Sequence, residues 1–214
     1  MKLKDKRLLI FDVDGVLINS KKNMELSFKK MCKINNLEKL KFNDYFGKIG
    51  LPFKTIMLRL GVKKNCSKLQ NDYFNFSLKF KNKISPYKGV YNTLKYLKKN
   101  KFKLAIVTSK AKKNAKNFLK YFFPEIKFRL ICSPNNKLRP KPSPDMLLYV
   151  CNKLNITPSK SLYVGDTFHD YQAARGSKMS FILAKYGYFS KGKKIKTNYK
   201  IKKFSDIINL LAND

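Results

Sequence analysis

Hydrophobic residues follow two different spacings along this 214-residue chain, and the change between them predicts its architecture. Leu8–Phe11 is a continuous apolar run flanked by charges, which is typical of a strand buried on both faces. From Asn19 to about Ser85, apolar residues recur at helical spacing and no β-rich run interrupts them. After Pro86 and Gly89, short apolar runs alternate with amphipathic stretches. This change predicts a helical block inserted into an alternating α/β chain.

The second half of the chain predicts four further strands. They span residues 103–108, 128–132, 161–165 and 180–184, and helices are predicted over 90–99, 112–121, 144–154 and 168–175. Alternation of this kind forms right-handed crossovers in a parallel sheet. The predicted fold is therefore α/β, a Rossmann-like parallel sheet with helices on both faces and an all-helical cap inserted after the first strand. We assign residues 1–18 and 86–214 to the core domain and 19–85 to the cap domain.

Composition narrows the class of protein. A hydrophobic fraction of 43% is enough to form a core. Four widely separated cysteines form no Cys-x-x-Cys pair, which favours reduced thiols in a cytoplasmic protein. The amino-terminal apolar run meets Asp12 at once, unlike a signal peptide or a membrane helix, so we expect no membrane partner. A monomer or a homodimer is expected.

The formal net charge of +35 would by itself suggest a polyanionic partner. Arginine, however, occurs at only five positions, and lysines are spread from Lys2 to Lys203. Dispersed lysines fix no register on a nucleic acid and read no base. The charge thus indicates compositional bias, and we expect weak, salt-sensitive nonspecific binding rather than specific nucleic-acid recognition.

Two carboxylates follow the first strand. Asp12 and Asp14 are two residues apart and precede Gly15, which permits a tight turn. Ligands of open parallel sheets bind beyond the carboxyl ends of the strands. The pair could hold a cation and act on a substrate there, although a turn capped by an aspartate would have the same local sequence.

Two later strands end in groups suited to a phosphate. Thr108 and Ser109 follow one strand with hydroxyls and free backbone amides, a pattern that is also common where a strand turns into a helix. Lys141 lies between Pro140 and Pro142, which restrict the backbone and present its ammonium from a stiff segment.

A second acidic pair follows the strand predicted over 161–165. Asp166 ends that strand, and Asp170 lies one turn into the next helix on the same face. Oxygen ligands of this kind suit Mg²⁺. A helix-capping aspartate followed by a surface aspartate is the structural alternative.

In this order, the four segments resemble the four motifs of the haloacid-dehalogenase-like hydrolase superfamily. Further segments at Pro86–Val90, Val107–Lys110 and Lys141–Asp145 are similar to the phosphoglycolate-phosphatase-like branch. The resemblance implies that Asp12 is the nucleophile forming an aspartyl phosphate and that Asp14 is the general acid and base. It also implies phosphate binding and Mg²⁺ binding by the remaining groups. Phosphate would be bound by Thr108, Ser109 and Lys141, and Mg²⁺ by Asp12, the main-chain carbonyl of Asp14, Asp166 and Asp170.

Some residues depart from the resembled pattern or carry less weight. Val16 stands where many phosphatases of the branch have threonine, and Asn19 where an acid often precedes the serine. His169 is expected to be structural, since Asp14 already fills the general-base role. Lys110 is a weaker candidate for positioning phosphate. In the cap, Lys48 or Arg59 could bind a second anionic group, but a solvated helix surface is the favoured explanation for both.

These observations predict a Mg²⁺-dependent phosphatase that acts on a small phosphorylated metabolite, phosphoglycolate-like or a sugar phosphate. A sugar phosphomutase of the same fold is one alternative, because that branch often shares the Asp-Gly-Val run. A nucleic-acid-associated protein whose basic surface is its function is the other.

Overall fold

A six-stranded parallel sheet forms the centre of the structure, a computed structural model that describes residues 3–188 and 195–213. Its strands, in spatial order, are β5 (Leu130–Cys132), β4 (Lys103–Val107), β1 (Leu8–Phe11), β6 (Ser161–Gly165), β7 (Ser180–Ala184) and β8 (Tyr199–Ile201). The lysine-rich stretch 190–196, whose composition favours an exposed loop, lies largely outside the described residues. The α/β prediction is confirmed.

β1 lies in the middle of this sheet. Leu8 is paired with Lys103 of β4 on one side and with Ser161 of β6 on the other. All four β1 residues are buried. Because successive side chains point to opposite faces, Leu9 and Phe11 pack in one hydrophobic cluster and Leu8 and Ile10 in the other. This double burial explains the continuous apolar run.

Helices cover both faces of the sheet. They are α5 (Val90–Lys99), α6 (Lys112–Phe122) and α9 (Asp206–Asn213) on one face, and α7 (Asp145–Leu154) and α8 (Phe168–Gly176) on the other. Leu94 and Leu97 of α5 pack with Phe11, whereas Val150 of α7 packs with Ile10. In the described ranges, no helix is long and apolar enough to cross a membrane.

The observed elements differ from the predicted ones mainly at their ends and after residue 184. β8 and α9 were not predicted, and β4 ends at Val107, so Thr108 begins the following loop. The predicted 128–132 strand begins only at Leu130, although Arg129 N still donates to Leu104 O at 2.7 Å. A three-residue strand such as β8 shows too little alternation to be recognised.

Four helices form the cap between β1 and α5. They are α1 (Lys21–Ile34), α2 (Phe42–Phe46), α3 (Phe53–Arg59) and α4 (Cys66–Lys79). The two segments that connect the core to the cap pair with each other as a short antiparallel ladder. They are β2 (Ile18–Asn19) and β3 (Ser85–Pro86). This ladder interrupts the expected all-helical segment at its ends. The domain boundaries at 18/19 and 85/86 stay a prediction.

A buried polar pair joins α1 to α4. Asn23 Nδ2 donates to the carbonyl oxygens of Ser77 and Phe80, both at 2.9 Å, and Asn23 Oδ1 accepts from Ser77 Oγ at 2.7 Å. Asn23 and Ser77 are buried. One side chain thus satisfies three polar groups, and its two bonds to Ser77 are buried.

We expect Asn23→Leu to lower the free energy of unfolding by about 3 kcal/mol, because it leaves buried acceptors unpaired. Urea denaturation measures this loss. Ser27→Ala is the matched control: Ser27 is buried on the same helix, but its hydroxyl has no hydrogen-bond partner within the described residues. Equal losses in the two variants would contradict the importance of the Asn23 contacts.

Candidate active site

The carboxyl end of β1 places Asp12 and Asp14 at the edge of the sheet below the cap. Asp12 N donates to Val164 O at 3.0 Å and continues the ladder with β6, and Asp12 as a whole is only 5% exposed. Gly15 then adopts a left-handed conformation with φ of 81°. Its N–H donates to Ile18 O at 2.9 Å, which closes the turn. The predicted turn at Gly15 is present.

β6 brings the second acidic pair to the same edge. Carboxylate oxygens of Asp12, Asp166 and Asp170 all lie within 4.8 Å of one another, and all three residues are buried. The helix cap is Thr167 rather than an aspartate. Asp170 Oδ2 accepts from Thr167 N at 2.9 Å and from Thr167 Oγ1 at 2.6 Å, and this capping box fixes the Asp170 carboxylate.

Lys141 lies between two of these carboxylates and is only 1% exposed. Its ammonium donates to Asp12 Oδ2 at 2.8 Å, to Asp170 Oδ1 at 2.6 Å and to Tyr163 Oη at 3.2 Å. These three bonds use every N–H that an ammonium has. The Tyr163 hydroxyl in turn donates to Asp170 Oδ1 at 2.7 Å. Tyr163 is not among the predicted site residues, because its sequence position is that of one more strand residue in an apolar run.

Burial and charge oppose each other within this group. Burial raises the pKa of Asp12 to about 6, and the adjacent Lys141 offsets only part of that increase. Burial, together with repulsion from Asp170 and Asp12, holds the pKa of Asp166 well above its ordinary value. Burial also opposes ionisation of Asp170, but the charge and hydrogen bonds of Lys141 outweigh it and lower the pKa. One ammonium therefore does not neutralise three buried carboxylates.

The site fits a divalent cation. Asp166 Oδ1 is buried and, within the described ranges, has no hydrogen-bond partner. A buried carboxylate oxygen without a donor is costly unless a cation is bound to it. Three oxygen donors with excess negative charge match the preference of Mg²⁺ for hard ligands.

Asp14 faces a different set of partners. Its Oδ1 accepts from Ser20 Oγ at 2.5 Å, and its Oδ2 forms an ion pair with Lys110 Nζ at 3.0 Å. Lys110 thus contacts Asp14 directly, although lysine abundance gave it little weight in the sequence. Ser20 lies where the chain enters the cap and was not singled out as a site residue.

Thr108 and Ser109 follow β4 at the same edge. Thr108 is buried, and its N–H donates to Cys132 O at 3.1 Å. Ser109 Oγ donates to Gly50 O of the cap at 2.5 Å. Both residues line a cavity between the core and the cap.

A cavity of about 480 Å³ lies between core and cap. Asp12, Asp14 and Thr108 line its core side, and Tyr45, Tyr73 and Lys54 line its cap side. In the part of the chain that the structure describes, Lys54 rather than Lys48 or Arg59 is the cap cation on this cavity. Lys48 Nζ instead donates to Asp44 O at 3.2 Å.

His169 lies outside the carboxylate cluster. A Cβ atom built on Gly50 would be 3.3 Å from His169 Nδ1, so the imidazole is next to the cap loop. This position is compatible with the expected structural role.

Gly15→Ala is expected to lower kcat by about a hundredfold, because the new Cβ would overlap the Asp166 carboxylate and displace it. Steady-state phosphate release measures the loss. Gly61→Ala is the control, since Gly61 has a similar φ of 86° and nothing lies within 4 Å of its added Cβ. That variant should lose only about 1 kcal/mol of stability and keep its activity. Equal activity of the two proteins would contradict this dependence on the Asp166 position.

Comparison with known proteins agrees with this geometry. Residues 9–184 match the family described as haloacid dehalogenase-like hydrolase. The chain is 30% identical over 212 residues to a phosphoglycolate phosphatase of Aquifex aeolicus, with 97% of each chain covered. It is 27% identical over 209 residues to the pyrophosphatase PpaX of Halalkalibacterium halodurans, covering 95% of this chain and 96% of that protein.

The fold also matches solved structures. CbbY from Rhodobacter sphaeroides, solved in complex with phosphate, aligns with a TM-score of 0.83 at 16% identity and covers 97% of this chain and 99% of its own. A hydrolase from Pseudomonas syringae aligns with the same TM-score of 0.83 at 22% identity, with 97% and 98% covered. The full-length match to the Aquifex phosphatase and the family match lead to one conclusion: the chain is an enzyme of the haloacid dehalogenase-like hydrolase family.

Proposed function

We propose that the protein is a Mg²⁺-dependent phosphatase that hydrolyses a small phosphorylated metabolite through a phosphorylated Asp12. One observation carries the proposal: Asp12 lies at the floor of the cavity, held by Lys141 and next to two further buried carboxylates. Phosphatases among the relatives support the same reaction class.

Asp12 is suited to attack phosphorus. Its Oδ1 accepts from Val13 N at 2.7 Å and its Oδ2 from Lys141 Nζ at 2.8 Å, so the carboxylate has a fixed orientation. In the first step an Asp12 oxygen bonds to phosphorus, and the bond between phosphorus and the leaving oxygen breaks. The electron pair leaves with that oxygen.

Asp14 is the proton donor in this scheme. It gives its proton to the leaving oxygen and then accepts one from the water that attacks the aspartyl phosphate. This second step releases inorganic phosphate and regenerates the Asp12 carboxylate. Asp14 is two residues from Asp12 and lines the same cavity, which allows it to act on the same substrate.

Charge must be neutralised before an anionic phosphate approaches three carboxylates. Lys141 supplies one positive charge, and its contact with Asp12 places that charge at the reacting group. Asp12, Asp166, Asp170 and the main-chain carbonyl of Asp14 would hold Mg²⁺, which when bound adds the positive charge that Lys141 alone lacks. The Thr108 hydroxyl and the main-chain N–H of Ser109 would donate to the phosphoryl oxygens, since the Ser109 hydroxyl already donates to Gly50 O.

The cavity supports a substrate of metabolite size. Its volume of about 480 Å³ lies within the range of about 300–1,000 Å³ that is typical of small-molecule sites. Its wall includes the amide side chains of Gln70 and Asn114 and the ammonium groups of Lys54 and Lys110. These groups suit a hydroxylated or carboxylated leaving group, either a sugar phosphate or a phosphoglycolate-like ester.

A substrate panel tests this function. Phosphoglycolate, several sugar phosphates, pyrophosphate and p-nitrophenyl phosphate would be incubated with the enzyme in Mg²⁺ and in EDTA. We expect Mg²⁺-dependent release of phosphate from at least one metabolite. Conversion of a sugar phosphate to its isomer without free phosphate would replace the proposal with a phosphomutase. If folded protein in Mg²⁺ leaves every member unchanged, the phosphatase function is wrong.

A further inference from the structure

The segment Tyr186–Tyr188 follows β7 and lies against the acidic cluster. A Cβ added to Gly187 would overlap Asp166 and the carbonyl oxygen of Gly15. The backbone at Gly187 therefore packs directly against Asp166 of the carboxylate cluster. Tyr188 N donates to Asp166 Oδ2 at 2.6 Å. The main chain at Tyr188 thus holds one carboxylate of the cluster.

The side chain of Tyr188 reaches the point where the chain enters the cap. Its hydroxyl oxygen accepts from Ser20 N at 2.6 Å and lies 3.2 Å from Ser20 Oγ. Its ring packs edge-on against Phe46 of α2, with centroids 5.2 Å apart. One residue therefore contacts the core carboxylate, the cap and the point at Ser20 where the chain passes between them, which we call the hinge.

The hydroxyl hydrogens define the contacts of Ser20. Ser20 Oγ has one hydrogen, and that hydrogen is directed to Asp14 Oδ1 at 2.5 Å. The Tyr188 hydroxyl accepts from Ser20 N, and its own single hydrogen faces two acceptors, Ser20 Oγ at 3.2 Å and Asn19 Oδ1 at 3.4 Å. The result is a chain of hydrogen bonds that runs from Tyr188 through Ser20 to Asp14.

We propose that Tyr188 is a positioning residue for the proton donor: it holds Ser20 at the hinge, and Ser20 holds Asp14 below the cavity. The inference rests on the proposed function, because it assigns Asp14 the proton that the leaving group receives. Tyr188 itself lies outside the sequence motifs and need not touch substrate.

Tyr186 belongs to the same segment but takes no part in the hydrogen-bond series from Tyr188 to Asp14. Its hydroxyl donates to Val16 O at 2.9 Å, and its ring packs on Tyr87 with centroids 4.7 Å apart. It supports the turn near the hinge, but its hydroxyl donates to a carbonyl of that turn and not to Ser20. Tyr186→Phe is therefore the matched control for Tyr188→Phe.

The experiment compares two kinds of leaving group. An alkyl phosphate metabolite needs a proton from Asp14 as the bond breaks, whereas p-nitrophenol is acidic enough to leave without one. Because Asp14 also serves the hydrolysis step that both substrates share, the comparison uses kcat/KM, which reports the steps up to phosphoryl transfer. In the Tyr188→Phe protein we expect kcat/KM for the alkyl phosphate to fall by about tenfold, the effect of one lost hydrogen bond. The kcat/KM for p-nitrophenyl phosphate should fall by less than about twofold, and Tyr186→Phe should show no such difference between the substrates.

Ser20→Ala tests the intermediate link. It should show the same leaving-group dependence, and the double variant Ser20→Ala, Tyr188→Phe should lose little more than either single variant. Equal losses on both substrates in Tyr188→Phe, or additive losses in the double variant, would overturn the proposal.

A crystal structure of the Tyr188→Phe protein provides a readout that does not depend on turnover. We expect Ser20 Oγ to move out of hydrogen-bond distance of Asp14. Retention of that bond would overturn the positioning role. Failure of the phosphatase function appears instead as absence of turnover in the unsubstituted enzyme, so the two failures are distinguishable.

Discussion

Replacement of Asp12 by asparagine is expected to lower kcat by about a thousandfold or more. The amide has nearly the size of the carboxylate but no oxygen that can form a stable bond to phosphorus. Its side-chain oxygen can still accept from Lys141, so the local packing should persist. Phosphate release under saturating substrate measures the loss, and circular dichroism with thermal unfolding verifies that the variant is folded.

Asp44→Asn is the control for this substitution. Asp44 is an exposed aspartate on α2 of the cap. Its replacement removes the same charge as Asp12→Asn, but at a position away from the acidic cluster. That variant should keep the activity of the unsubstituted enzyme. A folded Asp12→Asn protein with activity within a few-fold of the original would rule out Asp12 as the nucleophile.

The second large effect is expected for Lys141→Met. Without the ammonium, Asp12 and Asp170 lose their buried counter-charge, and breaking a buried ion pair in this way typically costs about 3–5 kcal/mol. We therefore expect the free energy of unfolding in metal-free buffer at neutral pH to fall by about this amount. Urea denaturation monitored by circular dichroism measures it, and activity should be lost as well.

The pH dependence of this loss has a definite sign. The folded-state pKa of Asp12 is raised to about 6 even with Lys141 present, so its burial reduces stability increasingly as pH rises from its ordinary value of 3.8 through 6. Removing Lys141 raises this pKa further. The stability difference between the variant and the original should thus be largest above pH 6 and should shrink as the buffer is acidified.

Two comparisons make the Lys141 prediction specific. Lys137→Met removes an exposed lysine of a neighbouring loop and should change stability by less than about 0.5 kcal/mol. Added Mg²⁺ should restore part of the stability of the Lys141 variant, because a cation among the three carboxylates replaces the lost charge. A Lys141→Met protein as stable as the original in EDTA at neutral pH would contradict the electrostatic account of the site.

The sheet and the main carboxylates could be predicted because their signals are local. β1 and β6 are mainly apolar and fully buried, since both faces of these strands are covered, and each is followed directly by an aspartate. In a parallel sheet all such ends meet at one edge, and the resemblance to the family implied that Asp12, Asp166 and Asp170 come together there, as they do.

Other site features depend on tertiary contacts that leave no comparable pattern. Tyr163 occupies a strand position that any large apolar residue could fill, and only the approach of Lys141 shows that its hydroxyl is used. Tyr188 is 168 residues from Ser20 in the chain, a separation that no local spacing can reveal. Thr167 is different, because Thr and Asp three residues apart before a helix indicate a capping box that the sequence analysis overlooked.

The most direct test of the central claim is a search for phosphate on Asp12 itself. The enzyme would be mixed with its best substrate and Mg²⁺, quenched in acid within milliseconds, digested and analysed by mass spectrometry. We expect a phosphorylated peptide containing Asp12 that appears during turnover and is absent from the Asp12→Asn protein. Turnover at full rate with no phosphorylated peptide at any quench time, or with the phosphate on another residue, would contradict the account.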